Sequence, residues 1–360
     1  MTEPAMMEYI AVIAFKTVAY LVLLLLSLVG NTLVPLVIHR NSALHTNLNY
    51  IIASMSISDL VFTLFLLPVR IKIIFIPEPV GFWLINGVMG QIFCKTIAFV
   101  TEASIVVSVL SLELISCLRL HAVVFPFRRQ PLQSRKSCLI AILFIWTFAA
   151  LYSCPNLYFW QISTVNSTTF CKPNIGSSES EKIEIVIFQT FFTIIPALSL
   201  TVTYSVIMYF IRKKPQDRHV GHIQVKQMKR DDKRVTYLLL TVVVLFFLPQ
   251  TALCIYIFLI AFKCVDDDAW LGCRNVNSVS FVLIFLSYFP QAFTPFVYFF
   301  FNPRYRRGAR LLCYCISQDS SGRNEDNEMV VMGASLTPSR ENEGTERDTS
   351  GPGFGICQFH

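Results

Sequence analysis

The chain of 360 residues lacks the motifs by which many metallohydrolases and nucleotide-binding enzymes are identified. It has no HExxH pattern, which would place two histidine ligands and a glutamate on one helix face, and no G-x-x-x-x-G-K-[ST] phosphate loop. Its six histidines are scattered along the chain and form no such motif. No cleavable signal peptide is evident, because the first long apolar run has the length of a membrane span. The sequence predicts that the protein is not an enzyme, and it predicts neither a cofactor nor a metal.

The sequence also shows no internal inverted repeat, and few ionisable residues interrupt its apolar runs. Many transporters are built from inverted repeats, and ion pathways through a membrane need charged or titratable side chains. Both absences argue against a small-solute transporter, which stays the less favoured alternative function. The net charge of +7 does not indicate nucleic-acid binding, because the basic residues lie between the apolar runs and form no single patch.

Hydrophobic residues are abundant. They make up 54% of the chain, with 13% aromatic residues and a mean hydropathy of +0.55, which exceeds what a water-soluble globule carries. Seven apolar runs are long enough to cross a hydrocarbon core of about 30 Å. Backbone amides in lipid must be hydrogen-bonded within their own segment, so each run is predicted to be a helix. The runs cover approximately residues 16–39, 47–76, 92–119, 138–160, 184–211, 235–262 and 276–302. The predicted fold is an all-α membrane protein, a seven-transmembrane helix bundle.

The distribution of lysine and arginine predicts how the bundle lies in the membrane. Most of these residues fall in the first, third and fifth linkers and after the last run, and basic residues mark cytoplasmic loops. We therefore expect a multi-pass protein of the plasma membrane with an extracellular N-terminus (1–15) and a seven-transmembrane domain (16–302). Residues 303–315 are basic and amphipathic, which predicts a short eighth helix on the inner leaflet. Residues 316–360 have the composition of a disordered cytoplasmic tail.

Four of the eleven cysteines, Cys94, Cys171, Cys264 and Cys273, are predicted at the outer face, where disulfides persist. Four cysteines allow three pairings. A Cys264–Cys273 pair would close the short loop CVDDDAWLGC, and it leaves Cys94, at the outer start of span three, to pair with Cys171. Four free thiols are the alternative interpretation.

Two further patterns predict covalent modification. Asn166-Ser167-Thr168 is an N-glycosylation acceptor and lies in the predicted outer loop between spans four and five. Cys313 and Cys315 follow the basic segment after span seven, which makes them palmitoylation candidates. Two reduced cytosolic thiols are the alternative interpretation for this pair.

Short motifs in successive spans carry a family resemblance. They are Gly30-Asn31, Ser58-Asp59-Leu60, Cys94, Arg119 with the following HAVVFP, Trp146, Pro196 with Tyr204, Phe246-Phe247-Leu248-Pro249, and Thr294-Pro295-Phe296-Val297-Tyr298. In this order and at these intervals they make the chain resemble a divergent rhodopsin-like (class A) G-protein-coupled receptor up to about residue 315. The resemblance implies an extracellular ligand and activation of heterotrimeric G proteins by the cytoplasmic face.

The resemblance also implies roles for individual residues. It assigns G-protein coupling and activation to Arg119, Tyr204, Phe247, Pro249, Pro295 and Tyr298. It assigns a buried polar network to Asn31, Asp59 and Ser108, although Pro290 and Gln291 replace the usual polar partners of a sodium ion. Arrestin, recruited by a phosphorylated tail, is a further expected partner.

The inner end of span three departs from the family pattern. Arg119 occupies the arginine position of the D-R-Y triplet, but leucines flank it on both sides, and Lys229 stands where an acid commonly completes the inner lock. An intramembrane charge is a functional hypothesis by default, and we expect weak restraint and raised ligand-independent signalling unless Asp231 or Asp232 substitutes. An arginine that only snorkels to the head groups, and a receptor that binds ligand without coupling to G proteins, are the alternatives.

The outer half excludes two ligand classes. A retinal Schiff base needs a lysine where this chain has Tyr288, and an amine ligand needs an aspartate where it has Thr101, with Glu102 turned by about 100°. Charges of both signs favour a peptide ligand, unless they serve only to solvate the loops. These charges are Arg70, Lys72, Glu179, Glu181, Glu184 and Asp266–Asp268. The candidate pocket residues are Arg70, Thr101, Glu102, Phe188, Phe192, Tyr256 and Tyr288.

Overall fold

The computed structural model describes residues 3–75, 83, 85, 87–125, 128, 132–165, 168–173, 183, 186–213, 222–263 and 276–312. Within these residues, seven helical stretches are long and apolar enough to cross a membrane, which confirms the predicted seven-transmembrane bundle. The helices are α1 (Glu3–Arg40), α2 (Asn47–Ile74), α3 (Gly87–Val124), α4 (Arg135–Ser153), α5 (Ile195–Lys213), α6 (His222–Lys263), α7 (Val276–Ser287) and α8 (Phe289–Phe301). Together α7 and α8 form the seventh stretch.

The central helix of the bundle is α3, which packs against α2, α4, α5 and α6. Helix α1 packs against α2 and α8 at one side of the bundle. Several helices extend beyond the apolar runs of the sequence: α1 begins at Glu3 and α6 at His222. Hydropathy marks only the part of a helix that matches the hydrocarbon layer, whereas the backbone hydrogen bonds continue into the polar turns beyond it.

Two irregular turns interrupt the helices at positions with a local cause. The seventh stretch breaks at Tyr288 because Pro290 has no N–H to donate to the carbonyl of Leu286, so the helix restarts as α8. Before α5, residues Thr190–Ile194 form a π-helical turn, which holds an extra residue and rotates the side chains that follow it. Pro196 is the second residue after this turn.

A β-hairpin lies between α4 and α5, and the hydropathy pattern did not predict it. After a short helix (Asn156–Phe159), strand β1 (Trp160–Val165) pairs antiparallel with β2 (Thr168–Pro173), and Ile162 lies opposite Cys171. A disulfide joins Cys171 to Cys94 near the start of α3, which confirms this predicted pairing. We call this end of the bundle the hairpin end and the opposite end, where α3 carries Arg119, the Arg119 end.

Side-chain hydrogen bonds hold the hairpin on α3 in addition to the disulfide. The amide of Gln91 donates to the Trp160 carbonyl over 3.1 Å and accepts from the Ile162 N–H over 2.9 Å. The Trp83 backbone N–H donates to the Thr169 carbonyl over 2.6 Å. The strand pair is therefore fixed over the space between α2 and α3.

Gly30 allows the close approach of α1 and α8. A methyl group on Gly30 would lie 2.9 Å from Cβ and 3.0 Å from Cγ of Pro295. Real Cβ atoms almost never come so close, and the proline ring cannot rotate away. The glycine of the Gly30-Asn31 motif thus fits the proline of span seven.

We expect Gly30→Ala to destabilise the receptor by about 1–3 kcal/mol, because α1 must move away from α8 to accept the methyl group. Thermal unfolding of the purified receptor in detergent would show a melting temperature lowered by several degrees. Val29→Ile is the matched control, since it adds a methyl group at the next position, whose side chain is exposed. Equal melting temperatures for both variants would contradict the close packing.

The chain turns at Asn302 and is helical again over residues 303–312. This segment is fixed to the bundle by Tyr305, whose hydroxyl donates to Asn49 Oδ1 of α2 over 3.0 Å. Burial raises the pKa of Tyr305, so its hydroxyl keeps the proton that it donates. A methyl group on Gly308 would lie 2.7 Å from Val37 Cγ1, so this glycine allows contact with α1. The position of the segment on a leaflet stays a prediction.

Candidate functional site

A cavity of 630 Å³ opens at the hairpin end, and we call it the hairpin-end cavity. Helices α2 and α3 supply most of its wall, and Trp160 and Cys171 of the hairpin line it as well. The helical residues just before the π-helical turn contribute Phe188 and Gln189, and α6 contributes Ile257. Because most lining side chains are apolar, the few polar groups decide which ligand chemistry fits.

A second cavity of 270 Å³ lies closer to the middle of the bundle, and we call it the middle cavity. It is lined by Phe246 and Gln250 of α6 and by Tyr288 and Gln291 of the seventh stretch. Arg70, Thr101, Ile105 and Ile257 line both cavities, so the two spaces adjoin along these four side chains.

The structure brings six of the seven candidate pocket residues to these cavities. Arg70, Thr101, Glu102 and Phe188 line the hairpin-end cavity, and Tyr256 and Tyr288 line the middle cavity. Phe192 lines neither, which corrects the sequence-based assignment. It lies within the π-helical turn, is 5% exposed, and packs against Tyr152 with 4.6 Å between ring centroids. Helical spacing after Phe188 suggested a pocket position, but the wider turn directs the ring into the core.

The polar groups around Arg70 are arranged as follows. The guanidinium of Arg70 lies over the Tyr288 ring, with 5.7 Å from Cζ to the ring centroid. Tyr20 of α1 packs beside the same ring, 6.3 Å away between centroids. Arg70 Nε and Thr101 Oγ1 are buried without a hydrogen-bond partner among the described residues. Both side chains line the junction of the cavities, so a ligand that displaces the packing around them would meet two unsatisfied polar atoms.

Glu102 also faces the hairpin-end cavity, although the helical wheel placed it about 100° from the family's ligand position. Its Oε2 accepts a hydrogen bond from the Asn156 side-chain amide, which comes from the short helix after α4. No pattern in the sequence indicated Asn156, because its contact depends on the chain reversal before the hairpin. Glu102 and Asn156 thus form a polar pair on the wall of the cavity.

The predicted buried polar network is divided between two groups. Ser108 Oγ donates to Asp59 Oδ1 over 3.2 Å, as the family motif suggested. Asn31 Nδ2 instead donates to the Gln291 carbonyl over 2.6 Å and to Ser27 Oγ over 3.1 Å. Ser27, four residues before Asn31 on the same helix face, was missed, and it also bonds Thr63 of α2 over 2.6 Å. These hydrogen bonds therefore join α1 to α8, α1 to α2, and α2 to α3.

At the Arg119 end lies a third cavity, of 490 Å³, which we call the Arg119 cavity. Arg119 of α3, Arg234 of α6 and Arg304 after α8 all line it, together with the predicted activation residue Tyr298. None of the described residues that line it is acidic. A cavity with three arginines suits a partner segment that presents carboxylates or backbone carbonyls.

The other predicted activation residues lie between these cavities. Tyr204 is buried, and its hydroxyl lies 3.0 Å from Ser116 Oγ of α3. Tyr298 stacks on Tyr305, with 6.0 Å between ring centroids. Pro249 lies inside α6 and Pro295 inside α8. Phe247 packs in the core beside Phe246, and it is Phe246 that lines the middle cavity.

Several predicted residues lie outside the described part of the chain. They are Cys264, Cys273, Asn166, Cys313, Cys315 and the tail from residue 316. The side chains of Lys229, Asp231 and Asp232 are also outside it, so raised ligand-independent signalling stays a prediction.

Comparison with known proteins gives a family match and a set of relatives. Residues 30–298 match the family described as 7 transmembrane receptor (rhodopsin family). Galanin receptor 2a of Danio rerio is 24% identical over 326 residues, which are 89% of this chain and 84% of that receptor. The pyroglutamylated RF-amide peptide receptor of Rattus norvegicus is 25% identical over 348 residues, with 90% and 77% covered. Neuropeptide FF receptor 2 of Mus musculus is 27% identical over 310 residues, with 81% and 70% covered.

Proposed function

The chain belongs to the rhodopsin family of seven-transmembrane receptors, and we propose that it binds a peptide at the hairpin end and activates heterotrimeric G proteins at the Arg119 end. Family membership makes the protein a receptor and not an enzyme.

The observation that carries the proposal is a cavity at each end of a packed bundle. Among the described residues, the Arg119 cavity shares no lining residue with the other two cavities. Buried side chains such as Val109, Leu112 and Phe247 pack in the core between them. Separate cavities at the two ends, with packed side chains between them, suit a receptor in which a ligand at one end shifts the conformation of the other end.

Orientation is part of the proposal. We place the hairpin end outside the cell, because the Cys94–Cys171 disulfide needs an oxidising compartment. The Arg119 end then faces the cytoplasm, in agreement with Arg119, Arg234 and Arg304 at that end. We propose accordingly that the receptor lies in the plasma membrane with its N-terminus outside. A phosphorylated tail that recruits arrestin would follow from the same orientation.

A peptide is favoured as the ligand on two grounds. The hairpin-end cavity combines an apolar wall with the charges of Arg70 and Glu102, which suits a ligand with both apolar and charged groups. The relatives named above are receptors for galanin, RF-amide peptides and neuropeptide FF. Tyr288 and Thr101, at the positions that retinal and amine receptors use, both line the middle cavity and supply no lysine or carboxylate.

A screen of peptides and small metabolites on cells that express the chain tests the proposal. The readout is calcium release through a promiscuous G protein, with empty-vector cells as the control and surface staining to establish expression. We expect one or more peptides to activate the receptor. Activation by metabolites alone would contradict the peptide ligand, and peptide binding without nucleotide exchange on any G protein would favour the binding-only alternative.

A further inference from the structure

Arg70 carries a charge that the cavity walls leave incompletely satisfied. An arginine keeps its proton at any physiological pH, and a buried guanidinium needs acceptors for its N–H groups. Arg70 packs over the Tyr288 ring, yet its Nε–H has no acceptor within the described part of the chain. Leaving such a donor buried and unpaired costs free energy that a bound acceptor would recover.

Thr101 adds a second donor at the same place. Its Oγ1 is buried without a partner in the part of the chain that the structure describes, and both Thr101 and Arg70 line both cavities. The two groups therefore mark the junction between the hairpin-end cavity and the middle cavity. An arginine fork beside a hydroxyl suits a carboxylate, which has two oxygens and a negative charge.

Glu102 is the second charged side chain that lines the hairpin-end cavity, but it does not reach the middle cavity. Glu102 lines only the hairpin-end cavity, where its Oε2 accepts from the Asn156 amide. Among the described residues that line the middle cavity, Arg70 is the one with a charge. Among the described residues, the middle-cavity side of the junction is therefore electropositive, and the Glu102 carboxylate lies on the hairpin-end side.

The shape of the middle cavity indicates which carboxylate fits. Its 270 Å³ are lined by apolar and aromatic side chains such as Phe62, Ile105, Phe246 and Tyr288. Gln291 and Phe246 belong to the packed middle of the bundle, so a ligand that reaches this space ends there. A chain end with an apolar side chain fits this space better than the middle of a peptide does.

We propose, on the basis of the peptide function above, that the ligand ends in a free C-terminal carboxylate, which binds Arg70 and Thr101 while its last side chain fills the middle cavity. An amidated end would leave the Arg70 charge without a counter-ion. The free carboxylate expected for the ligand of this chain thus differs from the amide in the name of the RF-amide peptide receptor.

Small probes test this chemistry without the natural ligand. N-acetyl-L-phenylalanine carries the terminal carboxylate and an apolar side chain, and N-acetyl-L-phenylalaninamide is its neutral match. N-acetyl-aspartyl-phenylalaninamide carries its carboxylate on a side chain. At millimolar concentrations, we expect the first probe to raise the melting temperature of the purified receptor by about 2 °C and the other two to raise it by less than half as much.

Receptor variants locate the effect. Arg70→Gln should abolish the difference between acid and amide, and Thr101→Val should reduce it. Lys72→Gln is the matched control, because Lys72 is exposed on the same helix and lines none of the three cavities. If Arg70→Gln fails to fold, Thr101→Val, which keeps the side-chain shape, decides. Equal shifts for acid and amide in the wild-type receptor would overturn the inference. So would an acid preference that stays undiminished in the variants that fold. A shift from the side-chain carboxylate alone would overturn its terminal position.

Peptides that activate the receptor in the screen provide a second measurement. Each is synthesised with a free carboxylate and with an amide, and we expect the acid to be about 10-fold more potent or better, the equivalent of one charge-assisted hydrogen bond. Equal potency would refute the carboxylate and leave the peptide function standing. An acid-specific thermal shift that depends on Arg70, without activation by any peptide, would instead refute the peptide function alone.

Discussion

The double substitution Cys94→Ser/Cys171→Ser should remove most of the folded receptor from the cell surface. The disulfide closes a loop with a sequence separation of 77 residues, and loss of a native disulfide costs about 2–5 kcal/mol. The loss of ligand binding should be larger than the loss of surface receptor. Cys94 and Cys171 both line the hairpin-end cavity, and the disulfide holds the hairpin over it. Surface staining and peptide binding on intact cells would measure both losses.

Other contacts of the hairpin limit how much ligand binding is lost without the disulfide. Gln91 still holds the Trp160 carbonyl and the Ile162 N–H, so the strands keep part of their position without the disulfide. We therefore expect the surviving receptors to bind ligand weakly rather than to lose the cavity altogether. Cys154→Ser is the matched control, since Cys154 is a free, exposed cysteine at the hairpin end of α4. If the double variant behaved as this control does, the hairpin would not need the disulfide.

The helical spans were predictable because the bilayer imposes a simple condition. About 20 apolar residues must be hydrogen-bonded within one segment, and hydropathy alone detects such segments. The ends were less predictable, as α1 and α6 show, because polar turns continue a helix without changing its hydrogen bonds. The hairpin was missed because its two strands, Trp160–Val165 and Thr168–Pro173, are too short for a clear period-2 pattern and are placed by contacts with α3.

The packing role of a motif residue was predictable where that residue has a single partner on a neighbouring helix. Gly30 meets Pro295, and Ser108 meets Asp59, as expected for motifs that pack one helix on another. Asn31 joins a different set of partners, because Gln291 brings its backbone carbonyl within 2.6 Å. A sequence shows which polar side chains are available, but the break at Tyr288 and Pro290 decides which carbonyl is exposed to them.

Pocket residues were harder to assign than spans. Phe188 lines the hairpin-end cavity and Phe192, one ideal turn further on, does not, because a π-helical turn lies between regular helices. The sequence likewise did not distinguish Arg70 from the other charged residues predicted at the outer face. Its importance follows from its position over the Tyr288 ring and at the wall of two adjoining cavities, neither of which periodicity shows.

Arg119→Ala should reduce nucleotide exchange on the coupled G protein about 10-fold or more while ligand binding stays near the wild-type level. Arg119 lines the Arg119 cavity together with Arg234 and Arg304, and a charge-assisted hydrogen bond from arginine is worth about 1.5–3 kcal/mol. The substitution removes both the charge and the planar fork from the face where a G protein would dock. Ligand-stimulated GTP binding in membranes, normalised to surface receptor, would measure the loss.

Two further substitutions separate a specific role of Arg119 from a general effect of charge. Arg119→Lys keeps the charge but not the bidentate geometry, so an intermediate rate of exchange is expected. Arg128→Ala removes an arginine from the same end of the bundle, where it is exposed and lies over the Phe125 ring, and should leave exchange unchanged. If Arg119→Ala coupled as well as Arg128→Ala, Arg119 would serve only as an anchor to the lipid head groups, and α3 would have to transmit activation through packing contacts such as that between Ser116 and Tyr204.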